Sequence, residues 1–128
     1  MSPVTDRKAV VTWIELYERA WRTVGTEGLA ELFTEGASYR MSPYEEPARG
    51  LEAIGELWER ERVGPDEEFE LRSAVIAVDG DTAVARIEVD YATGAEYRDL
   101  WIIRFGADGR CREFEEWPFW PGQPLSGE

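Results

Sequence analysis

The sequence predicts an α+β fold in which helices lie on one face of a curved, mostly antiparallel sheet. Three observations carry this. Apolar residues recur at helical spacing through the first half of the chain. From position 68 the period changes to two. The alternating segments are joined by short links rich in glycine and aspartate, the chemistry of hairpins.

Taken in order, residues 5–24 read as an amphipathic helix, with Val10, Trp13, Ile14, Tyr17, Ala20, Trp21 and Val24 on one face. Thr5 or Asp6 can cap its start, and Gly25 stops it. "TEGLAELF" (26–33) gives a short second helix, capped by Thr26 and ended by Gly36. "ASYRMS" (37–42) alternates as a short strand, after which Pro43 and Pro47 force a loop. A third helix covers about 51–62, with Leu51, Ile54, Leu57 and Trp58 on one face, and "VGP" (63–65) ends it. Four strands follow at 68–78, 82–92, 96–105 and 110–117, linked by "DGD", "TG" and "GADG". The chain then runs into "PFWPGQP", an unusually aromatic tail.

The length of 128 residues suits one domain, 1–128, with 119–128 as its tail. An apolar fraction of 43% is enough for a core. The 27 acids outnumber the 14 bases for a net charge of −13, which argues against nucleic acid and against anionic membrane surfaces. There is no histidine, so the commonest general base and metal ligand are missing, and Ser-His-Asp or Cys-His catalysis is excluded. One cysteine, Cys111, allows neither an internal disulfide nor a thiolate metal cluster. Glu45 and Glu46 in the proline-bounded loop make a poor metal site, and "DGD" is too short for a calcium loop. No cofactor and no metal are expected. The first residues lack the apolar core of a signal peptide, and a cytoplasmic location is the expectation.

Four segments in this order resemble the nuclear transport factor two-like superfamily, especially its SnoaL-like and ketosteroid-isomerase-like members. They are "ELFTEGASY" into the first strand, "PARGLEAIGELW" opening the third helix, "VDGDTAVAR" at the first long hairpin and "FGADGRCREFEEW" at the last. The resemblance implies a cystatin-like α+β roll, a cone whose helices and strongly curved sheet enclose an apolar pocket. It also implies a homodimer formed through the sheet face and a small hydrophobic molecule as partner.

Trp13, Tyr17 and Trp21 share one helical face, as a core stripe or as a pocket wall that gives their polar tips partners. By the resemblance, Tyr17 falls where ketosteroid isomerases place a tyrosine that donates to a developing oxyanion. The same comparison puts Met41 at the position of the general base, which it cannot replace. Trp101 falls at the position of a protonated acid, where its indole N–H can still donate. Asp99, two residues from Trp101, shares its sheet face. The resemblance turns Phe114, Glu116 and Pro118 to the pocket and Cys111, Glu113, Glu115 and Trp117 away from it. Asp99 and Glu116 are thus candidate bases, unless Glu116 pairs with Arg98 or Arg40 and Asp99 with Arg98 or Arg112. Trp13, Trp21, Tyr39, Met41, Tyr44, Trp58, Phe114 and Trp120 are candidate ligand contacts, with Tyr39, Met41 and Tyr44 at the mouth. Phe119 or Trp120 is expected to plug an edge or the rim.

Two kinds of function remain open. One is a cofactor-independent isomerase, cyclase, dehydratase or epoxide-opening enzyme acting on a hydrophobic cyclic or polyketide-like molecule, with Tyr17, Asp99, Trp101 and Glu116 carrying the chemistry. The other is a non-catalytic hydrophobic-ligand-binding protein or a homodimeric scaffold of the same fold.

Overall fold

Asp6 sets the start of the first helix, its carboxylate accepting from the Ala9 N–H at 2.8 Å. In the computed structural model of the chain, which describes residues 5–62 and 68–123, this helix, α1, spans Arg7–Arg22. Its buried stripe is Val10, Trp13, Ile14 and Tyr17. Val24, expected on that stripe, lies past the helix end and is exposed. Thr23 has already turned extended, and Gly25 follows at φ 89°.

The second helix is shorter than its apolar pattern suggests. α2 covers Leu29–Leu32 only, and Gly28, not Thr26, stands at its N-cap. Phe33 opens strand β1, Phe33–Arg40, so the strand starts four residues before the expected 37–42 and Gly36 lies inside it. The reason is burial on the sheet. Phe33 and Ala37 are both fully buried, and β1 runs parallel to the last strand from Phe33 onward. A two-residue strand absent from the sequence reading, β2 (Ala48–Arg49), pairs antiparallel with β1. Helix α3, Leu51–Glu61, buries Ile54, Gly55, Leu57 and Trp58. The "VGP" stop at 63–65 lies outside the described residues.

Strands β3 (Phe69–Asp79), β4 (Thr82–Tyr91), β5 (Glu96–Phe105) and β6 (Cys111–Trp117) form the expected antiparallel meander. The sheet is mixed, six-stranded and open, in the order β2-β1-β6-β5-β4-β3. β6 is therefore a central strand, parallel to β1 and antiparallel to β5. The three helices pack on this sheet, α1 against β3 and α3 against β1 and β2.

Register shifts occur in β1 between Phe33 and Ser38, in β3 between Val75 and Ala77, and at the start of β6. Phe105 pairs with Cys111 and Arg104 with Glu113, which leaves Arg112 as the extra residue of a bulge. The bulge turns Cys111 inward, against the expectation that it faces away with Glu113. It is fully buried, and burial pushes its thiol up to about 12. Among the described residues, no helix is long and apolar enough to cross a membrane.

Candidate functional site: two carboxyls beneath a tyrosine pair

The register of β4, β5 and β6 fixes the centre of the site. Asp99 and Trp101 point to the same face of β5, and Glu116 on β6 lies directly opposite Trp101. Asp99 and Glu116 are therefore diagonal neighbours on adjacent strands, close enough for long side chains to meet. Tyr17 comes down onto this face from α1, and Tyr39 reaches it from β1. The Tyr17 and Tyr39 hydroxyls are 2.8 Å apart, and Tyr39 Oη donates to Glu116 Oε2 at 2.9 Å. A phenol has one proton to give. With that of Tyr39 committed to Glu116, Tyr17 is the donor to Tyr39. A chain of hydroxyl to hydroxyl to carboxylate thus links α1, β1 and β6.

Burial governs the charge states. It raises the Glu116 pKa, and the neighbouring Asp99 charge raises it further, while the Tyr39 hydrogen bond opposes both. Burial also raises the Asp99 pKa, against the lowering effect of hydrogen bonding to Glu116 and of the Trp101 indole. Two carboxyls in this relation share a proton near neutrality, since like charges at close range resist double ionisation. Tyr17 and Tyr39 are held well above the usual phenol value by burial first and by the Glu116 charge second. They stay protonated donors throughout the working range.

Among the described residues, three buried polar atoms around this centre lack a hydrogen-bond partner: Asp99 Oδ1, Trp101 Nε1 and Trp58 Nε1. The Trp101 indole is near enough to favour the Asp99 carboxylate electrostatically, yet no well-formed bond joins them. Unmade buried hydrogen bonds are expensive, so the three atoms mark the polar spots of this apolar region. Their residues all line one cavity of about 870 Å³. Tyr17 and Trp21 form its α1 wall, and Leu57, Trp58 and Glu61 its α3 wall. The sheet supplies Leu71, Val89, Tyr97, Asp99, Trp101 and Glu116, and Pro118 and Trp120 close it from the tail.

Of the candidate residues, Tyr17, Asp99, Trp101 and Glu116 converge on this cavity, and Trp21, Tyr39, Met41, Trp58 and Trp120 also line it. Three candidate contacts do not. Trp13 is core, 4% exposed, because its Nε1 donates to Leu32 O at 3.0 Å and its ring packs among Phe33, Phe105 and Phe114. Phe114 lies behind the floor, 1% exposed, packed on Tyr39 and Trp101. Tyr44 is fully exposed in the loop after β1, away from the cavity mouth. The ion pairs considered for the two acids are not made. Arg98 engages Glu88, Asp90 and Glu96, Arg112 engages Asp81 and Glu113, and Arg40 donates to Pro43 O.

Trp120 holds its place because Arg98 N–H donates to Phe119 O at 2.9 Å, which extends the β5–β6 ladder beyond the strand end, and its ring meets Tyr97 edge-on. Phe119 is half exposed and plugs nothing. The sequence reading missed Tyr97, Val89 and Tyr91 as lining residues. The signal was present, since Tyr97 shares the parity of Asp99 and Trp101, and Val89 and Tyr91 share that of buried Ile87. Among the described residues, no group of three metal-ligating side chains comes together.

A model of the SnoaL-like domain family matches residues 13–114. No curated protein matches the sequence significantly. Similar solved structures include a candidate SnoaL-like polyketide cyclase from Jannaschia, 20% identical, covering 92% of this chain and 89% of that one, with a TM-score of 0.71. A candidate ketosteroid isomerase from Kribbella flavida is 18% identical, covering 94% and 82%, with a TM-score of 0.68. A protein of unknown function with a cystatin-like fold from Methylobium petroleophilum is 18% identical, covering 98% and 84%, with a TM-score of 0.70. At these identities the likeness is one of fold.

Proposed function

The chain belongs to the SnoaL-like domain family, and we propose that it is a cofactor-independent proton-transfer enzyme, an isomerase, cyclase or dehydratase, acting on a hydrophobic ring compound. One observation carries this reading: two carboxyls with raised pKa values sit side by side in a cavity walled mostly by aromatic and aliphatic side chains, with Glu61 and Glu68 at its edge.

In this reading Asp99 takes a proton from bound substrate through its unpartnered Oδ1. Glu116 holds the shared proton and can return it elsewhere on the molecule. The uncommitted donors are Trp101 Nε1 and, further round the wall, Trp58 Nε1, so these indoles stabilise a developing oxyanion. Tyr17 acts through Tyr39, holding it on Glu116, and is a positioning residue. Flat ring systems suit the walls, because Tyr17, Trp58 and Trp101 line the cavity as one aromatic cluster, with Tyr17 packed against both indoles. The proposal includes a homodimer through the outer sheet face, where Trp117 is half-buried with its Nε1 on Glu115.

The test is deuterium exchange. The protein is incubated in heavy water with tetralone, and loss of the α-proton signal is followed by NMR. Exchange above the buffer rate is expected, and Asp99→Asn should slow it by about 100-fold. A rate equal to buffer over a panel of cyclic ketones removes the proton-transfer reading.

A further inference from the structure

The charged groups lining the cavity all carry one sign. Glu61 and Glu68 stand at its edge and Asp99 and Glu116 at its centre, while among the described residues no lysine or arginine lines it. The guanidinium groups that come near are committed elsewhere. Arg62 lies over the Trp21 and Trp58 rings but donates to Thr23 O and Gly25 O. Arg22 lies over Phe69 and is held by Glu18 and Phe69 O. Arg98 is spent on Glu88, Asp90 and Glu96 on the opposite sheet face.

We propose that the ligand of this cavity is a ring-bearing amine, bound as its cation with the ammonium at the Asp99–Glu116 pair. The inference rests on the reading of the cavity as the ligand site and names the substrate class that reading leaves open. Asp99 Oδ1, in a residue only 7% exposed, has no donor of its own. An ammonium supplies one together with the missing counter-charge, in a charge-assisted bond. Tyr17, Trp58 and Trp101 line the same cavity, Tyr17 packed on the two indoles at centroid distances of 5.0 and 4.5 Å, and aromatic rings attract cations. The unpartnered Trp101 Nε1 asks for an acceptor on the same molecule, which a hydroxyl or carbonyl oxygen provides without negative charge. A carboxylate or phosphate ester would meet four acids and no cation.

The other titratable groups facing the pair are Tyr17 from α1, Tyr39 from β1, Tyr91 from β4 and Tyr97 from β5, with Glu61 of α3 at the edge. None is cationic. Arrival of an ammonium therefore favours full ionisation of the pair and displaces its shared proton, so with such a ligand the proton that Glu116 returns is the one Asp99 takes from the ring.

The experiment is calorimetric titration of the full chain at neutral pH with three matched probes: naphthylmethylamine, naphthalenemethanol and naphthoate. Each titration is run in two buffers of different ionisation enthalpy to count protons. The amine is expected to bind at least about tenfold more tightly than the alcohol, with naphthoate weakest and a proton displaced only by the amine. Glu116→Gln, checked for folding by circular dichroism, should abolish the proton displacement and shrink the amine's preference over the alcohol. Equal binding of alcohol or naphthoate overturns the amine assignment while keeping the ligand site. So does an amine preference that survives in both Asp99→Asn and Glu116→Gln. Failure of all three probes to bind removes the ligand-site reading and this inference with it.

Discussion

Tyr39 Oη donates to Glu116 Oε2 across 2.9 Å, tying the first strand to the last at the centre of the cavity. The bond opposes the burial that would otherwise keep Glu116 neutral. Tyr39→Phe removes it, so the Glu116 pKa is expected to rise further. Carbon-detected NMR titration of the side-chain carboxyls reads this directly, and an unchanged or lowered value would contradict the hydrogen bond. The stability loss should be about 1 kcal/mol, the worth of one such bond.

The pH dependence of stability follows from the same pair. Burial moves Asp99 to about 6 and Glu116 to about 8, both above the value of about 4 for carboxyls in an unfolded chain. The folded state thus holds protons that the unfolded chain has released. The pair's contribution to stability is fullest below about pH 4, falls as pH rises through the folded values and levels off above them. Thermal midpoints from acid to mildly alkaline buffer should show this fall, and Glu116→Gln should flatten it. A midpoint that rises steadily over that range in wild type would be the wrong sign.

Trp13 makes a complementary control. It touches the core and not the cavity, and it satisfies Leu32 O. Trp13→Phe should cost about 2 kcal/mol from lost contacts and an orphaned carbonyl, measured by urea denaturation. Proton exchange by the folded variant should match wild type. Tyr44→Ala, at a fully exposed site, should alter stability by less than about 0.5 kcal/mol and leave ligand affinity unchanged.

Ending the chain after Trp117 removes Pro118 and Trp120 from the cavity and Phe119 O from Arg98. A lower thermal midpoint and weaker probe binding are expected. Removing only 125–128, which lies outside the described residues, should change neither. Equal midpoints for the first truncation and the full chain would show that the tail seals nothing.

The fold and the centre of the site were legible because they depend on parity. Alternation in "EYRDLWIIRF" put Asp99 and Trp101 on one face, and alternation in "CREFEEW" put Glu116 on the matching face. Parity is local, so it survives ignorance of the rest of the chain. What alternation could not convey was depth. Trp13 and Phe114 face the same way as cavity residues but lie a layer behind them, and depth depends on which side chains arrive from other elements. Phe33 sits at a helical spacing in "LAELF", yet pairing with β6 holds it extended, an override that comes from some 80 residues away. The bulge at Arg112 likewise belongs to its strand partners, which is why Cys111 was assigned to the wrong face. The link from Tyr17 through Tyr39 to Glu116 needs three elements in register, and no single segment encodes it.

The central position of β6 bears on how the molecule comes into being. β3, β4 and β5 can zip together by hairpin contacts as they leave the ribosome, but β1, made earlier, has no long neighbour until β6 arrives between it and β5. Pairing across such a sequence gap slows folding, because a large loop must close first. During synthesis β1 therefore waits with an unpaired edge, and the Asp99–Glu116 centre is assembled only when the final strand is threaded home.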